Sequence, residues 1–352
     1  MKKFKLLVFV LMMASLAFPT KVGTLAEVMK PDNITVYGNE LYVVEGAEIS
    51  VYSLDDLSLV RKFGKKGDGP GELKVLPGFY NKISVFPGYI LLVSFDRFVF
   101  FSKEGTFLKE KKKSFLISQI LPVGKNFVVK KLTIGDDGIT YSVIALYNSE
   151  MEKIKELYRQ KFVQQGALGS VKLDMVMDFV SVKVYDDNIF VDASSKGFII
   201  EAFDSQGKNL YQISKEYEKI KVTDDHKKEI IERFKEDPVI KFQMQNHGGW
   251  EGVKKLFTMK FQDTFPAIKN LEIFGEKLYV QTFKVKENKS ENIIMDLKGK
   301  IIKTVYLARF ENTPMLAQIL GAKLHTLYND KLYYLLENED EEEWELHVEE
   351  IR

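Results

Sequence analysis

The 352-residue chain has no cysteine, two tryptophans and only four histidines. Without cysteine there is no disulfide, no thiolate nucleophile, no thiolate metal ligand and no residue for a lipoprotein anchor. The histidines, His226, His247, His325 and His347, fall in no HExxH or H-x-H spacing, so no zinc site is legible. No Gly-x-Ser-x-Gly elbow occurs. An excess of one charge is also missing: 51 basic residues meet 50 acidic ones, for a net charge of +1. Nucleic acid as a partner would call for a basic footprint, and there is none. No motif points to a cofactor or metal.

Long apolar runs are absent except at the start. Three lysines in the first five residues precede Leu6–Phe18, which is apolar except for Ser15. This is the layout of a secretory signal peptide, and it is shorter than the ~20 residues of a membrane span. Small residues allow cleavage after Ala17 or after Ala26. The expectation is a leader over residues 1–17, extending to 26 if the later site is used, and an exported, periplasmic or secreted protein with no span after cleavage. Loss of the leader lysines turns the net charge slightly negative.

What the chain does have is a repeated unit. Residues 34–64 read as four short strands joined by tight turns, with Ile34, Val36, Leu41 and Val43 in the alternation of half-buried strands. The opening hairpin recurs six times. Tyr37-Gly38-Asn39-Glu40 leads into LYVV, Phe86-Pro87-Gly88-Tyr89 into ILLV, and Val123-Gly124-Lys125-Asn126 into FVVK. Tyr185-Asp186-Asp187-Asn188 leads into IFVD, Phe274-Gly275-Glu276-Lys277 into LYVQ, and Tyr328-Asn329-Asp330-Lys331 into LYYL. The Gly38-Asn39 pair tolerates the positive φ of a tight hairpin. A second turn ends in glycine at Gly105, Gly207 and Gly299; the third unit has Asn148-Ser149-Glu150 there and no glycine.

A lone four-stranded sheet leaves both faces open. Stacking copies radially covers them, and propellers use about four to eight blades. The expected fold is therefore all-β: a six-bladed β-propeller over residues 18–352. The last unit stops one strand short, so an N-terminal strand near residues 21–29 is expected to complete it and close the ring.

Phe63–Leu73, FGKKGDGPGEL after a strand, resembles the inter-blade signature of the NHL-like six-bladed propellers, in particular the bacterial exported proteins called 6-bladed beta-propeller. Phe265–Leu307, with FPAIKNLEIFGEKLYVQTF and the turn at Asp296–Lys300, is similar to the same family. The resemblance implies blades and turns. It implies no activity and no catalytic residue.

Residues 219–266 break the repeat between the fourth and fifth units. Thr223-Asp224-Asp225 reads as a helix start, with Ile230, Ile231 and Phe234 on one face and a stop at Pro238. A second helix is expected over residues 250–259. This insertion either caps the channel or covers a blade face, and His247 and Trp250 are its candidate ligand-binding residues. Other features have plainer readings. Gly64–Leu73 lacks the phosphate-loop pattern, Lys109–Lys113 reads as a solvated edge strand, and Glu337–Glu345 lacks the spacing of a calcium loop. The functional expectation is a non-catalytic binding or scaffolding propeller for a protein, peptide or glycan. The alternative is a metal-dependent, lactonase-like hydrolase or lyase with its site in the channel.

Overall fold

The computed structural model describes residues 20–25, 27–76, 79–114, 117–165, 171–176, 178–308 and 322–351. The leader and both cleavage positions lie outside them. An N-terminal strand, β1 (Thr20–Leu25), precedes the blades. Blade 1 is β2 (Asn33–Tyr37), β3 (Glu40–Glu45), β4 (Glu48–Ser53) and β5 (Leu59–Phe63). Blade 2 is β6 (Lys82–Val85), β7 (Ile90–Val93), β8 (Arg97–Phe101) and β9 (Phe107–Lys112). Blade 3 is β10 (Ile117–Val123), β11 (Asn126–Ile134), β12 (Ile139–Tyr147) and β13 (Lys153–Gln165), followed by β14 (Val171–Asp174). Blade 4 is β15 (Val182–Tyr185), β16 (Asn188–Asp192), β17 (Phe198–Phe203) and β18 (Asn209–Lys215).

The insertion follows as α1 (Asp224–Glu236), α2 (Pro238–Asn246), α3 (Trp250–Leu256) and β19 (Phe257–Lys260). Blade 5 is β20 (Asn270–Phe274), β21 (Lys277–Lys286), β22 (Lys289–Asp296) and β23 (Ile301–Ala308). Blade 6 is β24 (His325–Tyr328), β25 (Lys331–Asn338) and β26 (Glu343–Glu350), with β1 as its outermost strand. The ring thus closes with strands from both ends of the chain. β1 runs antiparallel to β26, from Thr20 opposite Val348 to Leu25 opposite Trp344.

The second strand of each blade is buried on both faces, so its run is almost continuously apolar. On β3, Tyr42 and Val44 pack towards Ile83, Ile90 and Leu92 of blade 2. Leu41 and Val43 pack the other way, towards Tyr333, Leu335 and Leu346 of blade 6. Similar clusters join blades 2 and 3, 3 and 4, 4 and 5, and 5 and 6. Burying an aliphatic side chain contributes about 1.5–3 kcal/mol, so these six interfaces supply the cohesion that disulfides do not.

The turns explain the repeat. Asp186–Asp187, Gly275–Glu276 and Asn329–Asp330 all have φ between 47° and 60° at both central positions, the hairpin geometry that matches strand twist. The second turn is also shared. Asp204 Oδ1 accepts from the backbone N–H groups of Gln206 and Lys208 at 2.9 Å, and Asp296 Oδ1 does the same for Lys298 and Lys300. In blade 3 Asn148 Oδ1 takes the N–H groups of Glu150 (3.0 Å) and Glu152 (2.9 Å), and Met151 stands at φ 65° where blades 2, 4 and 5 have Gly105, Gly207 and Gly299.

The insertion differs in detail from the expectation. Thr223 does cap α1, and His226 completes the capping box. Pro238 ends that helix but also begins another, α2, with Asp237 Oδ1 accepting from Val239 N at 3.0 Å. Proline suits a first helical position, where its missing N–H is not needed. The last helix stops at Leu256, not at residue 259, because Phe257–Lys260 pairs in parallel with β14 beside blade 3. Phe234, Ile240 and Val253 form a small core with Leu173 and Met175. The insertion leaves the chain between blades 4 and 5 but docks on the extension of blade 3.

Candidate functional site

The inner strands β2, β6, β10, β15, β20 and β24 surround a cavity of about 1400 Å³. His226, Glu229, Ile230 and Arg233 of α1 line it as well, so the insertion lies at the end from which the inner strands start. Of the two expectations for the insertion, the capping one describes α1.

Each inner strand alternates one side chain towards a blade core with one towards the channel. Ile34, Ile83, Ile120, Val182 and Leu271 hold matching core positions opposite their second strands. His325 holds the same position in blade 6, opposite Tyr334. Burial drives its pKa down to about 3, with Lys323 adding to the effect, so this half-buried ring, which also lines the cavity, is neutral. The intervening positions include Lys82, Lys183 and Glu272, which line the cavity.

The charges of this channel are mostly lysines. Lys183 of blade 4 and Lys323 of blade 6 meet Oε2 and Oε1 of Glu272 in blade 5, both at 2.6 Å. Burial alone would raise the Glu272 pKa, but the two ammonium groups outweigh it and hold the carboxyl well below the usual carboxylate range. Lys130 Nζ donates to Val180 O at 2.6 Å, and Lys82 Nζ to Ser118 O at 3.1 Å. Each of these reaches the next blade. Lys82 keeps part of its surface open to the cavity, yet enclosure, followed by the charges of Lys130 and Lys113, lowers its pKa to about 7. Burial lowers Lys113 to about 8. Near Lys130, burial raises Asp178, which accepts from the Ser194 hydroxyl, and pushes Asp192 up to about 7.

Lys113 departs from the expectation for its run. The rest of the run lies on β9, the exposed outer strand of blade 2. Lys113 lies just beyond it and turns inward, donating to Phe95 O at 3.0 Å and Ile117 O at 3.1 Å.

The two candidate residues of the insertion do not meet in this cavity. His247 is exposed at the C-terminal cap of α2. Trp250 packs edge-on against Phe234, 6.3 Å between ring centres, with Lys235 Nζ 5.3 Å above its ring. His347 contacts Glu345 Oε2 at 2.9 Å. Among the described residues, no three His, Cys, Asp or Glu side chains gather as metal ligands. The glycine-rich loop is filled by the chain's own carboxylates: Gly69 N donates to Glu72 (2.9 Å) and Gly71 N to Glu110 (3.0 Å). In the acidic run Glu345 is tied to Lys21 (2.7 Å) and Asn338 (3.0 Å).

The lysines of the channel are the residues that sequence reasoning missed. The signal was available: VKVY and LEIF each set a charge between apolar residues, and KISV sets one at the head of a strand. Such a charge reads as solvent-facing until the strand is placed innermost in a ring, where the same face looks into the channel.

Comparison with known proteins agrees on the architecture. No protein-family model matches the sequence, and no curated protein does. Among solved structures, a Bacteroides fragilis protein classed as exported is 13% identical, with a TM-score of 0.50, over 92% of this chain and 91% of that one. Kluyveromyces lactis Hsv2 is 12% identical, with a TM-score of 0.39, over 92% and 99% of the respective chains. BamB from Moraxella catarrhalis is 11% identical, with a TM-score of 0.31, over 90% and 71%. The likeness to the Bacteroides fragilis protein is one of fold alone.

Proposed function

We propose that the chain is an exported, non-catalytic binding module of the NHL-like kind, which takes its ligand in the propeller channel beneath α1. The cavity carries this reading: about 1400 Å³, bounded by six rigid inner strands and overhung by one helix. Small-molecule clefts are typically about 300–1,000 Å³, so this one has room for a peptide segment, a short glycan or a long flexible solute. The leader sequence supports export.

The charges favour binding over metal-dependent hydrolysis. A hydrolase of that kind gathers carboxylates and histidines at one point. Here lysines dominate, and Glu272 and Asp178 are already engaged, with Lys183 and Lys323 and with Ser194.

The test is native mass spectrometry of the mature protein from the exported fraction of producing cells, beside Ser84→Trp. Ser84 lies on β6 and lines the cavity, so an indole there intrudes into the space between the inner strands. Extra mass retained by the wild type and lost from Ser84→Trp is the expected result. Bare protein in both cases, or extra mass unchanged by Ser84→Trp, overturns the reading.

A further inference from the structure

Three ammonium groups enter the channel from blades 2 and 3 with no carboxylate bonded to any of them among the described residues. They are Lys82, Lys113 and Lys130. Lys82 and Lys130 each donate to one carbonyl in the described residues, and an ammonium has three N–H donors. Lys130 also feels the charges of Asp192, Asp178 and Lys183. A carbonyl on the next blade can be satisfied by a neutral amide or hydroxyl. Keeping three enclosed amines charged near one another carries a desolvation penalty and mutual repulsion that stapling alone does not call for. An anion seated among them would remove both.

The cavity wall at the α1 end is aromatic. Phe265 and Phe283 are stacked at 4.8 Å, with the His226 ring edge-on to Phe265 at 5.0 Å. Phe79 and Phe95 meet edge to face at 4.8 Å. Phe95 also supplies a carbonyl to Lys113, so the aromatic wall and the cationic cluster are contiguous. The channel is therefore amphipathic, cationic on one side and aromatic at its capped end.

We propose that the channel binds an amphiphilic anion, with its oxyanion head among Lys82, Lys113 and Lys130 and its apolar body against Phe79, Phe95 and the Phe265–Phe283 stack. This rests on the reading of the channel as the ligand site and names the class of ligand. An ammonium group is a point charge without the fork geometry of a guanidinium, so carboxylate, sulfate and phosphate heads all satisfy it. A bare inorganic anion leaves the aromatic wall unused, and a neutral amphiphile leaves the lysines unanswered.

Calorimetric titration with dodecanoate, dodecanol and inorganic phosphate, below the micellar range, tests this. Dodecanoate is expected to bind saturably, about tenfold or more tighter than dodecanol, since a charge-assisted bond contributes about 1.5–3 kcal/mol. Its affinity should fall with added salt while that of dodecanol does not. Lys82→Met should weaken dodecanoate about tenfold and leave dodecanol unchanged. Lys113→Gln provides the same comparison if Lys82→Met does not fold. Equal affinities for the two amphiphiles, indifference to both lysine variants, or tight phosphate binding alone would overturn the proposal. A wild type that binds neither amphiphile overturns it too. The channel reading is judged separately, by the mass retained in wild type and lost in Ser84→Trp.

Discussion

Lys183 on the inner strand of blade 4 and Glu272 on that of blade 5 lie 2.6 Å apart across the blade boundary. Lys323 takes the other oxygen of the same carboxylate, so three blades are joined at one group. Removing the negative charge leaves two enclosed ammonium groups facing each other. Breaking such an ion pair costs about 3–5 kcal/mol when one partner is lost. Glu272→Gln should therefore lower stability by about 3 kcal/mol in denaturant titration, and Lys183→Met in that background should restore part of it. The pH dependence has a definite sign. Glu272 has its pKa depressed in the folded state, so its contribution is complete above the unfolded value of about 4.3 and is lost as pH falls below it. The wild type should lose stability on acidification below that point more steeply than Glu272→Gln.

Lys82 gives a slope of the same sign in a higher pH window. Its pKa falls from about 10.4 in an unfolded chain to about 7 in the channel. Between these values the unfolded state holds the proton that the folded state has released, so stability rises with pH. The facing groups are Lys130 and Lys113, whose charges add to the shift, and Ser118 O, which accepts the hydrogen bond. Thermal melts should show a smaller gain between pH 7 and 10 in Lys82→Met than in wild type, and a higher melting temperature for the variant at pH 6. Cavity water at the exposed part of Lys82 makes the slope shallower than a dry site would. Parallel curves for the two proteins would show that Lys82 stays charged on folding.

The turns offer a test of the repeat itself. Gly105 has φ 86°, and an added Cβ would lie 2.7 Å from the Phe63 ring of the neighbouring blade. Gly105→Ala combines a left-handed backbone, about 1–2 kcal/mol for a residue with a side chain, with that overlap. A loss of about 2 kcal/mol or more is expected from chemical denaturation. Met151 already bears the conformational part at φ 65°. Met151→Ala should lose only the packing of a half-buried side chain, so it should be the milder of the two. A Gly105→Ala variant as stable as wild type would separate the turn geometry from the stability of the blade.

The blades were legible because the first turn of most blades carries its own signature. Asp186–Asp187 and Asn329–Asp330 mark hairpins by residue type, and the apolar runs between them mark strands covered on both faces. The blade count and the N-terminal strand follow from repetition and from a missing partner. The insertion was half legible. Its capped start at Thr223 was readable, but Phe257–Lys260 pairs with β14, more than eighty residues earlier in the chain, and no local pattern reports that. The channel was the least legible. Whether Lys113 is an edge lysine or a channel lysine depends on where the chain turns after β9, and Lys109–Lys113 has one composition throughout.

Ring closure constrains where the expected leader could be cleaved. Cleavage after Ala26 would take away β1, which pairs with β26 and carries Leu25 into the core between blades 6 and 1. Lys21 would leave Glu345, and Leu25, only 1% exposed, would leave a cavity beside Leu346. Burial of that one leucine is worth about 1.5–3 kcal/mol, and β26 would become an open edge able to pair with another chain. Cleavage after Ala17 keeps the strand. Mass spectrometry of the exported protein should therefore find Phe18 at the mature N-terminus. A protein made to begin at Glu27 should melt at a lower temperature and self-associate in light scattering, and a synthetic Phe18–Ala26 peptide added in trans should reverse both effects. If the Glu27 protein is as stable and as monodisperse as the longer one, the first strand is dispensable and β26 is protected by its own twist and charges.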